Sequence, residues 1–138
     1  MIRIVQRFAF SAAHVLARGD WPAERNRAVY GKCANPAGHG HNYGVEVAVE
    51  GEVDAGSGRI LPEGRLEELV RTRVLDELDQ TLLNRDVPAF ASTVPTAENI
   101  ARHIWDTLDG HLAPARLVAI RLVETRNNSV EYAGGGAV

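Results

Sequence analysis

Two alternating runs with histidines at their facing ends constrain this chain more than any other feature. The first is Ile2-Arg3-Ile4-Val5-Gln6-Arg7-Phe8-Ala9-Phe10-Ser11-Ala12-Ala13-His14, and the second begins His39-Gly40-His41-Asn42-Tyr43-Gly44-Val45-Glu46-Val47-Ala48-Val49. Side chains alternate faces along a strand, so residues two apart share a face. The even row of the first run is Ile2, Ile4, Phe8, Phe10, Ala12 and His14, with Gln6 its one other polar member; the odd row of the second is His39, His41, Tyr43, Val45, Val47 and Val49. Each histidine therefore continues an apolar row. If the runs pair antiparallel, the end of the first meets the start of the second, and His14, His39 and His41 converge on one buried face. A lone inward histidine is ordinarily a hydrogen-bonded core residue, but clustered buried imidazoles would each need a partner. Three neutral imidazoles leaving a fourth position open match a catalytic zinc site. Imidazole also suits copper, nickel and iron, so the pattern specifies a metal more firmly than it specifies which one.

The chain has 138 residues, which fits one domain over 1–138, and 45% are hydrophobic, enough for one core. No apolar run of roughly 18 residues is present, so no membrane span is expected. The N-terminus reads as a strand rather than as a charged-then-apolar leader, which predicts a cytoplasmic protein. A net charge of −3 gives no nucleic-acid footprint. The lone cysteine, Cys33, cannot form an internal disulfide.

Alternation predicts strands over residues 2–14 and 39–51. Residues 15–38 between them show no clear periodicity and contain Arg18, Arg25, Arg27 and Lys32; these are read as solvated, or alternatively as a phosphate clamp. Residues 63–80 read as a helix, with Leu66, Leu69, Val70, Val74 and Leu78 at helical spacing. Thr96 is an N-cap candidate for a second helix that buries Ile100, Ile104, Trp105 and Leu108 and ends at Gly110. A third strand covers about 116–125, its apolar face being Val118, Ile120 and Leu122 and then Glu124, and a fourth covers roughly 129–133. The Gly134-Gly135-Gly136 tail is expected to fray. The order strand-strand-helix-helix-strand-strand predicts an α+β domain, a four-stranded antiparallel sheet with two helices on one face. Its exposed edges favour closure between subunits into a cyclic homo-oligomer.

A carboxylate ending an apolar face, as Glu124 does, needs a partner. That partner is an arginine such as Arg121 or Arg126, or the planar N–H and amino edge of a ligand such as a pterin or guanine ring. Cys33 alone would be an inert small apolar residue, but a neighbouring metal favours its thiolate. Asp79 and Gln80 read by themselves as a polar helix terminus, and His103 and His111 as surface or packing residues.

The segments Phe10-Ser11-Ala12-Ala13-His14, Gly31-Lys32-Cys33, His39-Gly40-His41-Asn42-Tyr43, Leu78-Asp79, Pro95-Thr96-Ala97-Glu98-Asn99 and Val123-Glu124-Thr125-Arg126-Asn127-Asn128 resemble the 6-pyruvoyltetrahydropterin synthases and the related bacterial 6-carboxytetrahydropterin synthases. They span nearly the whole chain in the family's order. The five residues between Cys33 and His39 resemble the pyruvoyl branch, since the carboxy branch usually has a shorter gap. The resemblance implies the tunnelling fold, a hexamer of two stacked trimers and sites between subunits. It also implies zinc on His14, His39 and His41, proton transfer by Cys33 with Asp79, and pterin anchoring by Glu124 with Thr96 nearby; Glu98 receives no role. The implied activity is that of a carbon–oxygen lyase acting on a phosphate. It would convert 7,8-dihydroneopterin triphosphate to 6-pyruvoyltetrahydropterin with loss of triphosphate, a step of tetrahydrobiopterin synthesis. The family usually carries Leu-Asp-His where this chain has Leu78-Asp79-Gln80, and glutamine cannot exchange a proton at neutral pH. Two alternatives follow: a carbon–carbon lyase giving 6-carboxytetrahydropterin on the route to queuosine and other deazapurines, or a pterin-binding homologue with weak turnover.

Overall fold

In the computed structural model of the chain, which describes residues 1–135, two long strands form the backbone of the sheet. Strand β1 (Ile2–His14) and strand β2 (His39–Gly51) pair antiparallel from Ile2↔Gly51 to His14↔His39. Strand β4 (Arg116–Thr125) adds antiparallel to β2, and strand β5 (Asn128–Tyr132) to β4. The sheet has a fifth member that alternation did not predict. Strand β3 (Thr81–Leu82) lies parallel to β1 at Ala12 and Ala13, giving the order β3-β1-β2-β4-β5. Two residues are too short to show a period. The pairing depends on Gln80, which sits at φ 61° and donates its backbone N–H to the Ser11 carbonyl at 2.6 Å.

The helices cover one face. Helix α1 (Ala23–Tyr30) falls in the stretch that sequence periodicity left blank, followed by a 3-10 turn, Gly31–Ala34. Only Asn26 of α1 is buried, so no apolar stripe announces the helix. Helix α2 runs through Arg65–Val70, a π-helical stretch Arg71–Leu75 and a last turn Asp76–Leu78. It stops short of residue 80: Asp79 is already extended. A short helix α3 (Leu83–Asp86) follows. Helix α4 (Ala97–Leu108) starts where the cap signal placed it, with the Asn99 N–H donating to Thr96 Oγ1 at 3.2 Å. Its stripe Ile100, Ile104 and Leu108 is fully buried, and Gly110 takes φ 83° just beyond its end.

The core lies between these helices and the inward row of the sheet, Tyr43, Val45, Val47, Val49, Ile120 and Leu122. Each such aliphatic side chain contributes about 1.5–3 kcal/mol by leaving water. In β4 the buried row begins at Leu117 rather than Val118. A bulge between Ala48 and Val49 shifts the register so that Val49 faces Leu117, and an extra residue in one strand flips the preceding side chain to the other face. On the helix-free face, Glu50 lies between Arg3 and Arg116, and Glu46 between Arg7 and Arg121. At the C-terminal end, a Cβ added to Gly134 would sit 2.6 Å from the Trp105 ring, so this glycine is packed rather than frayed; Gly136 lies outside the described residues. No helix among the described residues is long and apolar enough to cross a membrane.

Candidate metal centre

The register decides the site. His14 pairs directly with His39, and His41 pairs with Ala12, so the three imidazoles rise from rungs two apart on one antiparallel ladder onto the helix-covered face. Their ring centroids are 4.5, 5.0 and 4.9 Å apart, and their ligating nitrogens lie within 4.8 Å of one another. The loop that returns to His39 is held tightly. Gly38 has φ 75°, and a Cβ there would meet the His14 carbonyl oxygen at 3.2 Å. The Leu16 N–H donates to the Cys33 carbonyl at 2.9 Å, which ties the 3-10 turn to the chain just past His14. The Asn84 side chain clamps Val15 from the other side, accepting from its N–H at 2.8 Å and donating to its carbonyl at 2.9 Å.

Hydrogen-bond accounting shows that this cluster suits a cation. The only role open to a carbonyl is acceptor, so His14 Nδ1 carries its proton and donates it to the Pro95 carbonyl at 2.8 Å. The lone pair of His14 then sits on Nε2, 2.9 Å from His39 Nε2. His41 Nε2 is buried with no hydrogen-bond partner among the described residues. Nitrogens about 2.0–2.1 Å from a tetrahedral zinc stand about 3.3 Å apart, close to the separation of His14 and His39. Burial pushes His14 below the ordinary imidazole value, helped by the neighbouring imidazoles and opposed by the Pro95 contact and Glu124. Burial likewise pushes His41 down. Neutral imidazoles with inward lone pairs are the form that binds metal. The cluster of His14, His39 and His41 can hold a metal ion.

Glu124 belongs to the same neighbourhood: its charge acts on His14, His41 and Tyr43. Neither Arg121 nor Arg126 pairs with it. Arg121 instead donates to Glu46 at 2.7 Å, and the partner of Glu124 is Asn128, whose amide donates to Oε1 at 3.3 Å. One carboxylate oxygen thus has no protein hydrogen bond among the described residues. Thr96 is half-buried beside Pro95, with its hydroxyl engaged in the cap. Cys33 is a free, half-buried thiol in the adjoining turn, outside the ligating cluster. Asp79 sits at the outer edge of β1 and accepts from the Ser11 N–H at 2.9 Å; no hydrogen bond joins it to Cys33 or the histidines among the described residues. Gln80, Ser11, His41 and Asn42 line a cavity of about 340 Å³. Arg18 forks onto Asp20, and Arg18 and Arg25 stack on Trp21, so this part of the basic loop is internally satisfied. His103 is a packing residue as expected, bonded to Glu77 at 2.5 Å and set against Phe90, and His111 is exposed.

Sequence reasoning missed two groups at the site. The Pro95 carbonyl arrives from a distant loop and leaves no local signal. Tyr43 was visible only as a member of the apolar row.

A family model described as 6-pyruvoyl tetrahydropterin synthase matches residues 3–135. The chain is 41% identical over 132 residues to the 6-pyruvoyl tetrahydrobiopterin synthase of Pongo abelii, covering 96% of this chain and 91% of that protein. Identity to the Homo sapiens protein of the same description is 40% over 132 residues, again 96% and 91% of the two chains. The fold superposes on the Caenorhabditis elegans 6-pyruvoyl tetrahydropterin synthase with a TM-score of 0.91 at 34% identity, covering 97% of this chain and 96% of that one.

Proposed function

The chain belongs to the 6-pyruvoyl tetrahydropterin synthase family, and from that premise we propose that it converts 7,8-dihydroneopterin triphosphate to 6-pyruvoyltetrahydropterin, releasing triphosphate. The observation that carries the proposal is the convergence of His14 Nε2 and His39 Nε2 at 2.9 Å with the buried His41 Nε2, which has no hydrogen-bond partner among the described residues. His14, His39 and His41 would hold zinc, which when bound supplies Lewis acidity toward the hydroxyls of the substrate side chain.

The remaining work falls to the chain's own groups. Glu124, with a free carboxylate oxygen, accepts hydrogen bonds from the planar N–H and amino edge of the pterin and so sets the ring's orientation. Thr96 borders that site. The Cys33 thiolate takes a proton from a side-chain carbon, and Asp79 takes part in its return. The chemistry is internally balanced in electrons. The C1′ hydroxyl carbon becomes a carbonyl as its two hydrogens pass to the ring, which goes from dihydro- to tetrahydropterin. At C2′ a proton is lost as triphosphate departs from C3′ with the electron pair of its own C–O bond, and the enol so formed tautomerises to the second carbonyl and a terminal methyl. Arg27 and Lys32, without ion pairs among the described residues, are free to attract the leaving anion. A hexamer of stacked trimers fits the same reading. Most of β1 has no outer neighbour, because β3 covers only Ala12 and Ala13, and an uncovered edge invites a second copy. Asp79 stands at that edge, which supports sites formed between subunits.

Incubating zinc-loaded protein with dihydroneopterin triphosphate and weighing the product by mass spectrometry tests the proposal. Release of triphosphate with the 6-pyruvoyl product is expected. A 6-carboxy product would replace it with the carbon–carbon lyase reading, which Gln80 keeps open. The weak-turnover reading is tested by Gln80→His. The backbone at φ 61° lies in a region where histidine is among the better tolerated residues. A rise of about tenfold or more in product formation would mark an impaired relay.

A further inference from the structure

We propose that Tyr43 is the positioning residue of the metal centre: its ring braces His14 and His41 against each other, and its hydroxyl backs the outer nitrogen of His14. The proposal rests on the reading of the histidine cluster as a zinc site.

Tyr43 is fully buried, so it is shielded from substrate, and its role must act through its neighbours. Its ring stacks on Phe10 at 4.8 Å and 16°, which fixes its plane from β1. From that position it meets two ligands edge-on: His41 at 5.4 Å and 65°, and His14 at 6.2 Å and 86°. One side chain therefore sets the angle between ligands carried on two different strands. The hydroxyl oxygen lies 3.3 Å from His14 Nδ1. That nitrogen already donates to the Pro95 carbonyl at 2.8 Å, so it has no lone pair for the hydroxyl to donate into. The hydroxyl oxygen is instead a second, longer acceptor for the same N–H, and its own proton has no acceptor among the described residues. Two oxygens facing one imidazole N–H lock the tautomer that leaves Nε2 free for metal and raise that nitrogen's basicity. Phenylalanine would fill the same space without burying a hydroxyl. The position thus gives up some folding stability for a feature that matters only when Nε2 is ligating.

The test pairs two measurements on wild type and Tyr43→Phe. Zinc affinity by chelator competition should fall about ten- to a hundredfold. The melting midpoint of the metal-free protein should stay level or rise. Equal zinc affinities within twofold would overturn the role of Tyr43 while leaving the metal reading intact. A wild type that binds no zinc would overturn both. A lowered metal-free midpoint with unchanged affinity would make the hydroxyl purely structural and overturn the proposal. In zinc-loaded wild type, ¹⁵N-histidine NMR should show a slowly exchanging His14 Nδ1 proton close to the Tyr43 ring. Absence of that proton would overturn the proposal without recourse to any variant.

Discussion

The two ends of the β1–β2 ladder are built on the same antiparallel geometry and treat polar groups in opposite ways. Toward the Ile2↔Gly51 end, on the helix-free face, each partly buried carboxylate has two cations: Arg3 and Arg116 for Glu50, Arg7 and Arg121 for Glu46. At the His14↔His39 end, on the helix-covered face, nitrogen faces nitrogen and His41 Nε2 faces no partner. Those two carboxylates are satisfied by the chain itself, so they serve the sheet. The second end gathers three imidazoles, one of them with a buried nitrogen that has no partner among the described residues, so its groups serve something the chain does not supply. His103 makes the contrast within one residue type. It is paired with Glu77 and packed on Phe90, and it joins no cluster of metal-capable side chains among the described residues.

Mutations at the two ends should therefore separate binding from stability. His39→Ala should weaken zinc binding by at least about a hundredfold and abolish product formation, since two imidazoles cannot complete a tetrahedral site. Removing one of the opposed nitrogens should leave the metal-free melting midpoint level or higher. A large drop in that midpoint, read by calorimetry, would mean the cluster is a structural core after all. Cys33→Ala should slow product formation about a hundred- to ten-thousandfold with zinc affinity unchanged. Triphosphate release at the wild-type rate would remove Cys33 from the chemistry.

Acid should sharpen the comparison at the histidine end. Burial holds His14 and His41 below the ordinary value of 6.5, so on acidification the unfolded chain takes up these protons before the folded one does. Metal-free stability should be complete above pH 6.5 and decline as pH falls below it, until the folded imidazoles also protonate. In a denaturant titration series across that window, His14→Gln should flatten the slope. The smallest effect belongs to the satisfied end. Glu46→Gln should cost about 1 kcal/mol or less in stability, because Arg7 is largely solvated and Arg121 partly so, and should leave zinc affinity unchanged.

Where the local pattern was long, it was sufficient. Strands β1 and β2 span thirteen residues each and alternate along most of their length, and α4 has both a Thr96 cap and a buried stripe at Ile100, Ile104 and Leu108. Where an element depends on a distant contact, the pattern was silent. Helix α1 is held by Asn26, whose amide accepts from the Arg18 N–H and donates to the Arg18 carbonyl, so it needs no apolar face. Strand β3 exists because Gln80 turns left-handed against Ser11. The bulge at Ala48 replaced Val118 by Leu117 in the core, a shift that no single strand encodes alone.

By itself, the sequence determined the two long strands and the histidines at their facing ends, because a period of two places every second side chain on one face regardless of what surrounds the strand. Only the tertiary structure decided which nitrogen of His14 faces the centre, through the Pro95 carbonyl and Tyr43, and that Asp79 lies at the sheet edge, where it accepts from the Ser11 N–H. Such choices are made by groups far apart in the chain that come within hydrogen-bonding distance only when the sheet and helices close on each other.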